Sequence, residues 1–159
     1  MNVKSRHHLR SDEIDELESS LSAALGVDPD GDAYEYVETA GDDRDVVRVD
    51  DEPRVAYFDG EPFLTVHGAN AYDVDAGVVT VDAGAVSFVS DGADVMRPGI
   101  VEADADVSAG DLVAVAEESH GKVLAVGRAL TDGAEMVGDS GKVVESLHHV
   151  GDELYQFSV

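Results

Sequence analysis

The run VDAGAVSFVSDGADVMRPGIV, Val81 to Val101, decides how the second half of the chain is read. It leaves a valine-rich segment through Asp-Ala-Gly and closes on the corner Arg97-Pro98-Gly99. Proline fixes φ and lacks an amide donor, while glycine admits backbone paths that other residues avoid. Such a corner is rigid and ends whatever regular element precedes it. A short helix is expected around Gly92 to Met96, stopped by Pro98 and Gly99. Arg97 stands out on that corner, because the chain holds 35 acidic residues against 10 lysines and arginines. An arginine fixed beside exposed backbone suits contact with an anion.

Outward from this run, the pattern is one of short valine-rich segments. VVTVD, AVSFV, LVAVAEE, KVLAVGRAL, KVVESLHHV and ELYQFSV are separated by Gly and Asp turns, which predicts a small β-barrel. Upstream, DVVRV, RVAYF and PFLTV alternate with period two, the last two joined by the turn Asp59-Gly60. Before them, SDEIDELESSLSAAL, Ser11 to Leu25, carries Ile14, Leu17, Leu21, Ala24 and Leu25 on one helical stripe. Ser11 or Asp12 caps its start, acids fill its first turn and Gly26 follows its end. The expected class is α+β: a helix with a small antiparallel sheet over residues 1–75, then a pseudo-β-barrel over 76–159.

Charge and composition narrow the function classes. The 159 residues are 43% hydrophobic with no Cys and no Trp, so the core rests on Val, Ala and Leu. Disulfides and thiolate zinc sites are excluded. A formal net charge of -25 repels itself in dilute buffer, and at molar salt, where the Debye length is about 3 Å, that repulsion fades. The acidity therefore reads as adaptation to a salt-rich cytoplasm. The opening MNVKSRHHLR is polar, unlike a secretory leader, and no run approaches the roughly 18 apolar residues of a membrane span. A soluble, cytoplasmic protein without a membrane partner is expected.

Three motifs resemble chemistry without supplying it. DPDGD, Asp28 to Asp32, alternates acids like a calcium loop, but Ala33 and Thr39 stand where glycine and glutamate belong. GDSGK, Gly138 to Lys142, resembles a serine-protease signature yet lacks its last glycine and a base in context, so it reads as a turn. The pairs His7-His8 and His148-His149 point to opposite faces if they lie on strands, which disfavours chelation. His7 and His8, beside Lys4, Arg6 and Arg10, read as a basic contact patch or a frayed end. Nucleotide loops and carboxylate dyads are missing. The expectation is a protein with no catalytic residue, no metal and no cofactor, hence not an enzyme.

Four ordered segments carry a family resemblance. Val81 to Val101, GDLVAV at Gly110 to Val115, LAVGRA at Leu124 to Ala129, and GKVVESLHHVGDELY at Gly141 to Tyr155 resemble the PUA domain, an RNA-binding β-barrel. The first half, through LRSDEIDELESSL and VVRVDDEPRVAYFDGEPFLTV, is similar to the pre-PUA domain of the malignant T-cell-amplified and density-regulated/ligatin translation factors and their archaeal homologues. The resemblance implies a pre-PUA domain at 1–75 and a PUA domain at 76–159. It implies RNA as partner, a tRNA acceptor end or ribosomal RNA, with the small ribosomal subunit and an initiation-factor-like protein nearby. Alternatives are a protein-interaction module and an accessory RNA-binding subunit of a modification complex. The family is often basic, and this chain is not.

The residues expected to face RNA are Ser90, Gly92, Ala93, Asp94, Arg97, Pro98, Gly99, Gly127, Arg128 and His148. Gly92 and Gly99 admit close backbone approach. Arg97 grips phosphate or stacks on a terminal base, Arg128 adds a second positive point, and His148 adds stacking or a hydrogen bond. Val95, Met96 and Ile100 are expected in the core.

Overall fold

The computed structural model describes residues 1–41 and 44–158; Asp42, Asp43 and Val159 lie outside the described residues, as does the end of the expected segment ELYQFSV. Fourteen helices and strands of the described residues follow in chain order: β1 (Val3–His8), α1 (Ser11–Leu25), β2 (Tyr34–Thr39), β3 (Val46–Val49), β4 (Glu52–Phe58), β5 (Glu61–Leu64), α2 (Val66–Ala71), β6 (Val78–Val81), α3 (Val86–Ser90), β7 (Val95–Met96), β8 (Ile100–Ala103), β9 (Leu112–Glu117), β10 (Val123–Ala129) and β11 (Lys142–His149). Single 3-10 turns occupy Ala83–Ala85, Arg97–Gly99 and Gly133–Glu135. The class is α+β, as expected.

The first sheet has the order β1-β2-β3-β4-β5 and is antiparallel throughout. Helix α1 is capped by Arg10 rather than by Ser11 or Asp12: the Arg10 amide donates to Glu13 Oε1 at 3.0 Å. Its chain path reverses at Gly26, whose φ of 66° is left-handed. Leu17, Leu21 and Leu25 are buried while Ala24 is exposed, so the apolar stripe is narrower than its sequence pattern. Neighbouring strand residues face opposite sides. Accordingly Tyr57 lies in the field of Glu13 and Glu16 on α1, while Phe58 stacks 6.3 Å from His148 on β11. The sheet is thus covered by α1 on one face and by the barrel on the other.

The second sheet has the order β7-β11-β10-β9-β6-β8, and its β6–β9 pair is parallel. It curls into a nearly closed barrel. All six residues of β9 are buried. Alternation divides them: Leu112, Ala114 and Ala116 join the core beneath α1 and the first sheet, and Val113 and Val115 fill the barrel with Val79, Val81, Ile100 and Val143. A strand buried on both faces reads as one continuous apolar run, as LVAVA does.

Several segments differ from their sequence reading. AVSFV ends the turn Ala83–Ala85 and runs through helix α3, because the Asp82 carboxylate accepts from the Ala85 amide at 3.0 Å and starts the turn. The helix expected at Gly92 to Met96 is replaced by the two-residue strand β7. PFLTV stops as a strand at Leu64, since the Thr65 hydroxyl accepts from the Gly68 amide at 3.0 Å and caps α2. The described part of ELYQFSV is turns anchored by buried Leu154 and Phe157. VKSRHH is a paired strand and not a frayed end. Among the described residues no helix is long and apolar enough to cross a membrane.

Candidate functional site

Arg97 leaves β7 at the barrel rim, and the loop 138–141 is shaped around it. The Arg97 amide donates to the Gly141 carbonyl at 2.8 Å. Its Nε donates to the Glu135 carbonyl at 2.9 Å and its Nη1 to the Ser140 carbonyl at 3.0 Å. A Cβ at Gly138 would stand 3.0 Å from Arg97 Cδ, and one at Gly141, where φ is 103°, only 2.8 Å from Nη1. The glycines of GDSG therefore make room for the arginine, a packing role and not a catalytic one. Carbonyls orient the guanidinium, and no carboxylate among the described residues pairs with it. Its positive charge stays available.

Next to Arg97 lies an apolar ledge. In β7 Val95 points inward and is buried, so Met96 points out and is 48% exposed. In α3 Val89 is buried and Phe88 is 66% exposed. Phe88, Met96, Pro98, Gly99, Ala93 and Gly84 line a shallow groove of about 440 Å³, with Asp82 and Asp94 at its margins. The Asp94 carboxylate accepts from the Ser146 amide at 2.8 Å and meets Lys142 Nζ at 3.3 Å, so its charge is partly offset. Gly92 has φ of 94°, and a Cβ there would fall 2.7 Å from His149 Nε2. That ring is fixed with Nδ1 3.0 Å from the Ser90 carbonyl and 2.9 Å from the Val150 carbonyl.

Of the residues expected to face RNA, Ala93, Asp94, Pro98 and Gly99 line this groove, while the Arg97 side chain runs to the 138–141 loop and Ser90 and Gly92 meet the His149 ring. Phe88 and Met96 are the members that sequence reading missed. Met96 was expected in the core beside Val95 and Ile100, which are buried. The available signal was strand alternation: with Val95 inside, its neighbour must face water.

The structure places Gly127, Arg128 and His148 in contacts within the fold, away from this groove. A Cβ at Gly127 would lie 2.5 Å from Val144 Cγ1 and 2.6 Å from the Glu145 carbonyl, so glycine there lets β10 and β11 pair closely. Arg128 Nη1 donates to the Gly110 carbonyl at 2.8 Å and to Glu61 at 3.3 Å, and Nη2 reaches Asp59 at 3.4 Å. Its charge is committed to tying β10 to the β4–β5 hairpin. His148 is completely buried; Nε2 accepts from the Val66 amide at 3.1 Å and Nδ1 faces Asp152 at 2.9 Å. Burial pushes its imidazole below the ordinary value, against the pull of Asp152. No part of that ring reaches a surface ligand. Among the described residues no three metal-binding side chains gather.

Known proteins share this architecture. The family profile described as "PUA domain" matches residues 77–151. An uncharacterized protein of Methanocaldococcus jannaschii is 36% identical over 160 residues, 99% of each chain. Translation machinery-associated protein 20 of Saccharomyces cerevisiae is 36% identical over 88 residues, 51% of this chain and 49% of the yeast protein. The solved structure of a conserved PUA domain protein from Thermoplasma acidophilum superposes with a TM-score of 0.82 at 29% identity, covering 96% of this chain and 98% of that one.

Proposed function

This chain belongs to the PUA-domain proteins, and from that premise we propose that it is a non-catalytic RNA-binding protein of translation, whose Arg97 ledge receives an unpaired nucleotide end of a tRNA or ribosomal RNA. The observation that carries the reading is a groove lined by exposed Phe88 and Met96, with Arg97 adjoining Met96 in the chain and its guanidinium oriented by carbonyls. Unpaired bases stack on an aromatic ring such as Phe88 for about 1–3 kcal/mol, Met96 adds apolar contact, and arginine takes the phosphate. The likeness to a translation machinery-associated protein supports the setting. The charge of -25 supports a salt-rich cytoplasm, where counterion release adds little and stacking must supply the affinity.

The test is fluorescence titration of a tRNA acceptor hairpin with an unpaired 3′ end, against its blunt counterpart, at molar potassium chloride. Phe88→Ala and Met96→Ala should each weaken binding about tenfold, roughly 1.4 kcal/mol, and leave the melting temperature unchanged because both side chains are exposed. Arg97→Gln should weaken it further. Equal affinity for the blunt hairpin, or for the Phe88→Ala/Met96→Ala double variant, would overturn the reading.

A further inference from the structure

The edge of the first sheet concentrates charge opposite to the rest of the molecule. The chain has 35 acidic residues, yet the first is Asp12, and three of the 10 lysines and arginines, Lys4, Arg6 and Arg10, precede it with His7 and His8. The structure makes this segment strand β1, whose six residues are all exposed. Among the described residues it pairs only with β2, so its other side is an open edge. The Leu9 amide donates inward to the Tyr34 carbonyl at 2.9 Å. In an antiparallel pair backbone groups alternate in direction, so those of His7 also face β2, and those of Arg6 and His8 face outward.

Three of the nearby acids are already engaged: Glu38 with Lys4 at 3.3 Å, Asp12 with Arg10 at 3.4 Å and Glu35 with Arg48 at 2.7 Å. Arg6 has no ion-pair partner among the described residues. The His7 ring stacks on Tyr36 at 5.4 Å, which pins the strand.

We propose that β1 is a docking edge for an extended, acidic segment of a partner protein, added as a sixth strand. An open edge offers donors and acceptors alternately, which another backbone matches. Nucleic-acid phosphates accept from the outward amides but leave the Arg6 and His8 carbonyls unanswered. A second copy of this chain would set Lys4 and Arg6 against their own equivalents, and like charges across a ladder repel. Glutamates on the incoming strand meet Arg6 instead. The inference is independent of the RNA reading, since the ledge is on the other sheet.

The full chain, isotopically labelled, is titrated at low ionic strength with a capped peptide of alternating glutamate and valine, about eight residues long. Saturation should slow hydrogen exchange of the Arg6 and His8 amides at least about tenfold, and the matching lysine peptide should not bind. Arg6→Pro removes an outward-facing donor, a substitution that edge strands tolerate, and should abolish binding with the β2–β5 amides unmoved. Arg6→Glu keeps every backbone group and should weaken binding about tenfold. Absence of binding at millimolar peptide would overturn the proposal. So would binding that leaves those two amides unprotected, or that survives both substitutions. A single-stranded oligouridylate that shifts β1 more strongly than the acidic peptide would assign the edge to nucleic acid and overturn it equally.

Discussion

At Gly92 a single hydrogen is all the space allows. The φ of 94° disfavours any side chain, and the His149 ring occupies the position a Cβ would need. Gly92→Ala should destabilise the fold by about 1–3 kcal/mol. Adding His149→Ala should recover the steric part and leave the backbone part, a double-mutant cycle readable by urea denaturation. Additive losses would show that the ring is not the obstacle. Arg97 was legible beforehand as an arginine on a Pro-Gly corner in an acid-rich chain. Its carbonyl partners were not, since they stand 38 and 43 residues away. Arg128 looked equally free in sequence, because the acids that neutralise it are 67 and 69 residues distant. Local sequence displays charge but not what tertiary structure brings against it.

Among the elements, VVTVD, LVAVAEE, KVLAVGRAL, KVVESLHHV, DVVRV and RVAYF were read correctly as strands, whereas Tyr34–Thr39, Val95–Met96 and Ile100–Ala103 were not. Two of the errors fall where a polar side chain overrides propensity. Thr65 turns the end of PFLTV into a cap for α2, and Asp82 does the same before α3, so β-branched residues sit in helices. The joint between α2 and β11 makes its own prediction. The His148 Nε2 that accepts from the Val66 amide must be unprotonated, and burial lowers its pKa. The unfolded chain therefore takes up this proton first as pH falls, near the ordinary histidine value of about 6.5. Stability from this site is complete above that pH and is lost below it. Burial alone would raise the Asp152 carboxyl, but the His148 hydrogen bond and those of the Tyr155 and His149 amides hold it at about 2. Its contribution is present above pH ~4 and disappears as pH falls from ~4 toward ~2. The difference in denaturation free energy between wild type and His148→Gln should narrow from pH 7 to 5. A difference independent of pH would exclude titration of this ring.

Across the whole molecule, the -25 charge acts on every element at once. Raising salt from 0.01 to 1 M shortens the Debye length from about 30 to 3 Å, and the melting temperature should climb with it. A flat response would mean that the ion pairs between neighbours already cancel the long-range repulsion. The same salt series should scarcely weaken RNA. With Arg128 and Lys142 both paired with acids, Arg97 leaves an effective phosphate count of about one, hence a shallow slope. The division of β9, with Leu112, Ala114 and Ala116 turned toward α1 and the first sheet, carries one more implication. The ledge of Phe88 and Met96 is not a portable cassette. Lifting 76–159 out on their own would strip an apolar wall bare, so any recombination or fusion that borrows the ledge must carry the leading helix and its sheet as ballast.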